Sequence, residues 1–119
     1  MRSPGAGDTL SAFPVFVDDR GTLVPIELDE VGFAVRRVFV VTGATGGADR
    51  GDHVIPCEQR AVLLAGRAEF RVTTGPEEAV STLERVGEWV ALPAGSYVHY
   101  RLADERSQVL VLAAEAYRP

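Results

Sequence analysis

The sequence alternates between short apolar runs and turn-forming residues along nearly its whole length. Valine is abundant, and no segment shows the helical spacing of apolar residues over ten positions. Apolar runs that recur about every ten residues, with Gly, Pro and Asp between them, are typical of β-sandwiches and β-barrels. The pattern predicts ten strands: Phe13–Val17, Thr22–Leu28, Val35–Thr42, Asp52–Ile55, Gln59–Ala65, Ala68–Thr73, Ala79–Leu83, Trp89–Leu92, Ser96–Leu102 and Gln108–Ala114.

The length of 119 residues predicts one domain around one core. Residues 1–12 lack the apolar centre of a signal peptide, and we expect them to form a flexible tail ahead of a folded domain at 13–119. No apolar run reaches the roughly 18 residues that a membrane-spanning helix needs. We therefore expect a small cytoplasmic domain that binds no membrane.

The charge and the cysteine content exclude some classes of protein. The formal net charge is −5, and no cluster of arginines suggests the basic face of a nucleic-acid-binding protein. The one cysteine, Cys57, excludes an internal disulfide and is typical of a reducing compartment. The glycine-rich segment 42–49 lacks the Gly-Lys-Ser/Thr ending of a phosphate-binding loop. We expect a small-molecule substrate and no nucleic-acid partner.

Two motif spacings indicate the kind of β fold. From Gly87 the chain reads GEWVALPAGSYVHY, and its Gly-x5-Pro-x-Gly pattern resembles the second half-motif of the cupin barrels. Upstream, His53-x-Ile55-x-x-Glu58 followed by Gly66 resembles the first half-motif. The resemblance implies an all-β, cupin-type jelly-roll β-barrel in a single domain.

The same half-motifs argue against a metal site. A metal-binding cupin supplies three histidines and a carboxylate, and here only His53 occupies such a position clearly. Ile55 and Val98 replace two histidines, Glu58 comes one residue early, and His99 comes one residue late. Because strand side chains alternate, a shift of one residue moves a side chain to the opposite face. We therefore expect a metal-free protein without a cofactor.

A closer resemblance covers roughly residues 13–117. The segments 16–27, 33–39, 50–53, 93–97 and 109–113, together with Gln59, follow the order and spacing of the sugar-nucleotide 3,4-ketoisomerases, the WxcM-like or FdtA-like cupins. The motifs D-x-R-G-x-L and R-G-x-H carry most of this resemblance. It implies a homodimeric, metal-free barrel that moves a ketone between neighbouring carbons of a dTDP-4-keto-6-deoxy sugar.

The chain departs from the family pattern at the expected active site. The family reads R-G-x-H-x-H-K, in which the second histidine is the expected base, and this chain has Ile55 there. Two family tyrosines become Phe39 and Val40. A family Trp-His-Glu run becomes Tyr97, Val98 and His99. The motifs that imply the fold are kept, while several residues expected to be catalytic in the family are replaced.

His53 is the candidate catalytic residue, because one histidine with a near-neutral pKa can remove a proton and return it to the next carbon. The alternative is a structural strand histidine. Arginines on the cavity side could bind a diphosphate or stabilise an enediolate. For His99, the alternative to a substrate contact is a position at the surface. The candidate substrate-binding residues are Arg37, Phe39, Arg50, Ile55, Glu58, Tyr97 and His99.

Three functions remain open from the sequence. The first is a ketoisomerase with altered machinery, and the second is a repurposed barrel whose apolar cavity guides cyclisation or isomerisation of a polyketide-like intermediate. The third is a non-catalytic small-molecule-binding barrel. In each case we expect a homodimer, because a small barrel leaves edge strands that a partner can pair with, Phe13–Val17 being the candidate.

Overall fold

The computed structural model describes residues 10–117, and nearly all regular structure within them is β-strand. Its strands are β1 (Leu10–Ala12), β2 (Phe16–Asp18), β3 (Gly21–Leu23), β4 (Arg37–Thr42), β5 (Ala48–Val54), β6 (Gln59–Ala65), β7 (Ala68–Thr74), β8 (Glu77–Leu83), β9 (Glu88–Leu92), β10 (Tyr97–Leu102) and β11 (Gln108–Ala113). A single 3-10 turn spans Leu28–Glu30. Within these residues no helix is long and apolar enough to cross a membrane.

The strands form two main antiparallel sheets. One has the order β1-β9-β6-β11-β4, the other has the order β5-β10-β7-β8, and β2 pairs with β3 in a separate hairpin. From β4 onward the chain passes repeatedly from one sheet to the other, which is the connectivity of jelly-roll proteins. The prediction of an all-β, cupin-type, single-domain fold is confirmed.

The core lies between the two sheets, where side chains of alternating strand positions meet. Leu63 on β6 and Phe70 on β7 are fully buried there, and Val98 and Val109 from opposite sheets belong to the same apolar cluster. Alternation of buried and exposed residues along β7 is complete over its first five residues. The period of two therefore determines which residues can reach the interior.

A second apolar cluster covers the outer face of the five-stranded sheet. Trp89 and Leu112 on that face pack with Phe13 and Val31, which come from the segment between β1 and β4. The Arg60 guanidinium lies 3.8 Å from the centre of the Trp89 ring. Desolvation lowers the pKa of Arg60, although the negative charge of Glu58 opposes this shift. The N-terminal segment thus forms an outer layer on the sheet.

This outer layer explains two strand predictions that differ from the structure. Of the predicted strands Phe13–Val17 and Thr22–Leu28, only the short β2 and β3 form, and the rest packs as irregular chain. Pro14 and Pro25 interrupt the backbone donors that a longer strand would need. Phe13, Val24 and Ile26 of these segments pack on the outer face of the sheet, so their apolar pattern resembles that of a strand.

Two further segments are more ordered than expected. Residues 1–9 of the predicted tail lie outside the described residues, but Leu10–Ala12 pair with β9 as β1. β5 begins at Ala48, inside the glycine-rich segment 42–49 that we expected to be a loop. The backbone of β5 is irregular, so its side chains do not alternate regularly and its sequence lacks a clear strand pattern.

Candidate active site

A cavity of about 900 Å³ opens between the two sheets. Its volume falls within the usual range for small-molecule sites. Much of its wall is apolar, and the apolar residues include Phe39, Val41, Ile55, Phe70, Leu92, Val98 and Val111. The polar and ionisable residues of the wall include Arg37, Arg50, His53, Gln59 and Tyr100.

A β-bulge in β5 determines which polar side chains reach this cavity. Arg50 and His53 are three residues apart, so a regular strand would place them on opposite faces. Val98 pairs with His53, however, and the next residue of β10 already pairs with Gly51, which leaves Asp52 without a partner in the ladder. The extra residue in β5 returns His53 to the face on which Arg50 lies. Both side chains therefore line the cavity.

The backbone of the bulge requires glycine at its first position. Gly51 has φ of +85° and Asp52 has φ of +60°, and Asp52 is the one non-glycine residue with positive φ within residues 10–117. A Cβ atom added to Gly51 would lie 2.5 Å from the carbonyl oxygen of Val98 and 3.3 Å from a ring carbon of Tyr100. Both conformation and space therefore exclude a side chain at Gly51.

On the outer face, exposed polar side chains of this bulge and of β10 contact one another. The Tyr97 hydroxyl donates a hydrogen bond to Asp52 (3.0 Å), and Nδ1 of His99 lies 3.4 Å from the same carboxylate oxygen. Nε2 of His99 lies 3.5 Å from Asp49, whose carboxylate accepts a hydrogen bond from Arg101 (3.1 Å). The bond to Asp52 raises the pKa of Tyr97, and the bond from Arg101 lowers the pKa of Asp49.

Five of the predicted site residues come together in the cavity: Arg37, Phe39, Arg50, His53 and Ile55. They come from β4, from β5 and from the turn that follows β5, and β4 and β5 belong to different sheets. Ile55 is 3% exposed and packs in the interior cluster, so position 55 is part of an apolar wall.

The other three predicted contacts lie away from the cavity. Tyr97 and His99 flank the inward-facing Val98 on β10, and alternation directs both to the outer face. Glu58 is exposed, and its carboxylate accepts a hydrogen bond from the backbone N–H of Ala94 (3.1 Å). The expectation that these three residues contact a substrate therefore needs correction, because strand pleating and a turn contact orient them elsewhere.

His53 lies where solvent meets the cavity, since its side chain is exposed and also forms part of the cavity wall. Its Nδ1 is 3.2 Å from the backbone carbonyl oxygen of Gly51. That oxygen can only accept, so this contact favours the tautomer that carries its proton on Nδ1. Nε2 of His53 then has the free lone pair that a general base needs.

Two guanidinium groups supply positive charge to the same cavity. The Arg37 guanidinium lies 4.5 Å from the centre of the Phe39 ring and 5.0 Å from that of Tyr117. Neither Arg37 nor Arg50 forms an ion pair with another residue of the described part of the chain. Guanidinium groups without a carboxylate partner are suited to binding phosphate oxygens.

Several residues of the wall are not among those predicted from the sequence. Tyr100 lies two residues after Val98 and faces inward like it. Strand alternation could therefore have identified Tyr100. Tyr117 lies beyond the last strand, where no periodic pattern exists. Cys57, expected to be inert, is buried and lies in the wall beside the turn after β5.

Comparison with known proteins identifies the family. The family model described as FdtA, WxcM-like, C-terminal, matches residues 6–119. The chain belongs to this family. In this WxcM-like protein the R-G-x-H segment forms part of the bulged strand that carries Arg50 and His53. A search of curated protein sequences found no match.

Solved structures resemble this WxcM-like protein over most of its length. QdtA, a sugar 3,4-ketoisomerase from Thermoanaerobacterium thermosaccharolyticum, is 26% identical, with a TM-score of 0.78 over 92% of this chain and 81% of QdtA. A 3,4-ketoisomerase from Helicobacter canadensis is 23% identical, with a TM-score of 0.79 over 92% and 84% of the two chains. ChmJ, a 3'-monoepimerase from Streptomyces bikiniensis, is 17% identical, with a TM-score of 0.79 over 99% and 70%. The last two similarities establish the fold alone.

Proposed function

We propose that the protein is a sugar-nucleotide 3,4-ketoisomerase of deoxysugar biosynthesis. Its substrate would be a dTDP-4-keto-6-deoxyhexose, whose ketone moves from C4 to C3. The observation that carries the proposal is the bulge of β5, which brings Arg50 and His53 of the family motif to one cavity wall. QdtA, at 26% identity, was crystallised with TDP, and a histidine variant of QdtA was crystallised with TDP-4-keto-6-deoxyglucose.

In this proposal the two cavity arginines bind the diphosphate of the substrate. Arg50 and His53 lie on the same strand, so a diphosphate bound by Arg50 would place the attached sugar near the imidazole. Arg37 adds a second guanidinium, which Phe39 supports through its ring face. The apolar wall around Ile55 and Val98 would contact the carbon skeleton of the 6-deoxy sugar, which has a methyl group at C6.

The proposed reaction needs one base and no cofactor. His53 removes the proton from C3, which gives an enediolate across C3 and C4, and then returns the proton to C4. No electron leaves the substrate, because the oxidation of C3 balances the reduction of C4. Within residues 10–117 there is no group of three or more His, Cys, Asp or Glu side chains that could hold a metal ion. We propose that the enzyme works without one.

The comparisons favour this reaction over the two alternatives raised by the sequence. QdtA, which is 26% identical, is a sugar 3,4-ketoisomerase, and the family model covers residues 6–119, whereas neither comparison favours a polyketide cyclase or a non-catalytic barrel. The test is to incubate the protein with dTDP-4-keto-6-deoxyglucose labelled with ¹³C in the sugar and to follow the carbonyl by NMR. Appearance of a C3 carbonyl signal supports the proposal, and a bound but unchanged substrate contradicts it.

We also propose that the protein is a homodimer. The hairpin of β2 and β3 exposes Phe16, Val17 and Leu23, whose side chains are 59%, 72% and 63% exposed. The edge strand β4 adds the half-exposed Val38 and Val40. Such neighbouring apolar residues on a short hairpin and a sheet edge are suited to burial against a second copy.

Light scattering at micromolar concentration is expected to give about twice the chain mass of 12.8 kDa. Changing the exposed Val17 to Asp is expected to shift the mass towards the monomer, because a charge cannot be buried unpaired in an apolar interface. Val80→Asp, at a half-exposed valine on the other sheet, is the matched control and is expected to leave the mass unchanged. A monomeric mass for the native protein would contradict this proposal.

A further inference from the structure

One phenol is fixed within the cavity wall. Tyr100 lies on β10, two residues after Val98, and is half-buried in the wall that also contains His53. Its ring stacks on Phe70 with 4.7 Å between the ring centres and 8° between the planes. On β5, Gly51 leaves room for this ring, since a Cβ there would approach it to 3.3 Å. Phe70 and Gly51 together determine the position of the phenol.

The other tyrosines of the chain are placed differently. The sequence has three, and the Tyr97 hydroxyl donates its hydrogen bond to Asp52 on the outer face. Tyr117 is 67% exposed and packs against Arg37 at the edge of the cavity. Tyr100 therefore combines a rigid ring with a position in the wall, which are the properties of a preorganised catalytic group.

The proposed reaction has a proton transfer that His53 does not perform. Besides the proton that moves from C3 to C4, the hydroxyl proton on O3 must leave and a proton must reach O4. A phenol can donate one proton and accept another, so a single tyrosine can serve both oxygens. Phe39 and Val40, on the strand that carries Arg37, have no hydroxyl, so they cannot perform this step.

We propose that Tyr100 is a catalytic residue, which transfers the oxygen-bound proton while His53 transfers the carbon-bound proton. Tyr100 gives its proton to O4 as the enediol forms and takes the proton of O3 as the C3 ketone forms. His53 and Tyr100 are both restored at the end of the cycle, and no co-reactant is consumed. Arg50 pairs with Tyr100 across the two strands and lines the same wall. The role rests on the proposed function.

The test compares Tyr100→Phe with Tyr97→Phe on dTDP-4-keto-6-deoxyglucose. Tyr100→Phe keeps the ring that stacks on Phe70, so the thermal midpoint and the affinity for dTDP are expected to stay near the native values. Its kcat is expected to fall by about 10²- to 10³-fold, the usual effect of removing one such donor, while KM changes little. Tyr97→Phe removes a hydroxyl on the outer face and is expected to retain kcat within about fivefold.

The outcomes separate this inference from the proposed function. A native protein that converts the substrate, combined with Tyr100→Phe of unchanged kcat, overturns the role of Tyr100 and leaves the reaction intact. A Tyr100→Phe variant whose dTDP affinity falls as much as its kcat would assign the residue to binding and packing, which also overturns the role. A native protein that binds dTDP without converting the substrate overturns the reaction and the role together.

Discussion

Replacing His53 by alanine is expected to reduce turnover of the dTDP-4-keto sugar by about 10³-fold. His53 is the one imidazole in the cavity wall of the described chain, and its Nδ1 contact with the Gly51 carbonyl leaves Nε2 free as the base. General acid–base catalysis contributes about 10²- to 10⁴-fold, and here one residue serves both carbons. KM and the affinity for dTDP are expected to change little, since the arginines remain. Steady-state kinetics and calorimetry measure these quantities.

His99→Ala is the matched control, because the chain has two histidines. His99 lies on the outer face between Asp49 and Asp52, and exposed contacts of this kind contribute little. The expected loss of turnover is therefore no more than about fivefold. Equal losses for His53→Ala and His99→Ala would show that His53 has no special role.

Replacing Gly51 by alanine is expected to lower the free energy of unfolding by about 3 kcal/mol and to remove most activity. A left-handed φ costs an L-residue about 1 to 2 kcal/mol, and overpacking costs about 1 to 3 kcal/mol. Here the new Cβ would lie 2.5 Å from the backbone oxygen of Val98, so β5 or β10 has to move. The movement would displace Arg50 and His53, which the bulge brings to the cavity. Denaturant unfolding and the turnover assay measure both effects.

Gly46→Ala separates the conformational cost from the steric cost. Gly46 has φ of +79°, close to the +85° of Gly51, but a Cβ at Gly46 would meet nothing within 4 Å. This variant is expected to lose about 1 to 2 kcal/mol and to keep its activity. If Gly51→Ala proved no more destabilising than Gly46→Ala, the close packing of the bulge against β10 would not be a cause of the loss in stability.

The parts of the fold predicted correctly are those in which alternation has one clear buried face. The predicted strand Gln59–Ala65 has the bounds of β6, and Ala68–Thr73 matches β7 to within one residue. Between β1 and β4 the apolar residues instead pack flat on the outside of a sheet, so an apolar pattern there indicates burial without strand pairing. Sequence patterns report burial more directly than they report hydrogen bonding.

The candidate site could be predicted where the family motif supplied the positions, as at Arg50 and His53. Period-two alternation by itself places these residues on opposite faces, and the bulge that corrects this depends on backbone angles that no local pattern specifies. Tyr100 was missed because its importance depends on Phe70 and Gly51, which only the folded sheet brings to it. Tyr97 and His99 were expected in the cavity, but pleating places them outside.

The central claim is that this chain performs the keto shift with isoleucine at position 55. The most direct test is the rate of 3-keto product formation from dTDP-4-keto-6-deoxyglucose in D₂O, measured by NMR for the native protein and for Ile55→His side by side. We expect native turnover on the order of 1 to 10³ per second, little gain from Ile55→His, and deuterium at C4, because the proton on the solvent-exposed His53 exchanges with D₂O before it reaches C4. A native protein without product, together with an Ile55→His variant that forms it, would contradict the account and show that the site had lost the ancestral reaction.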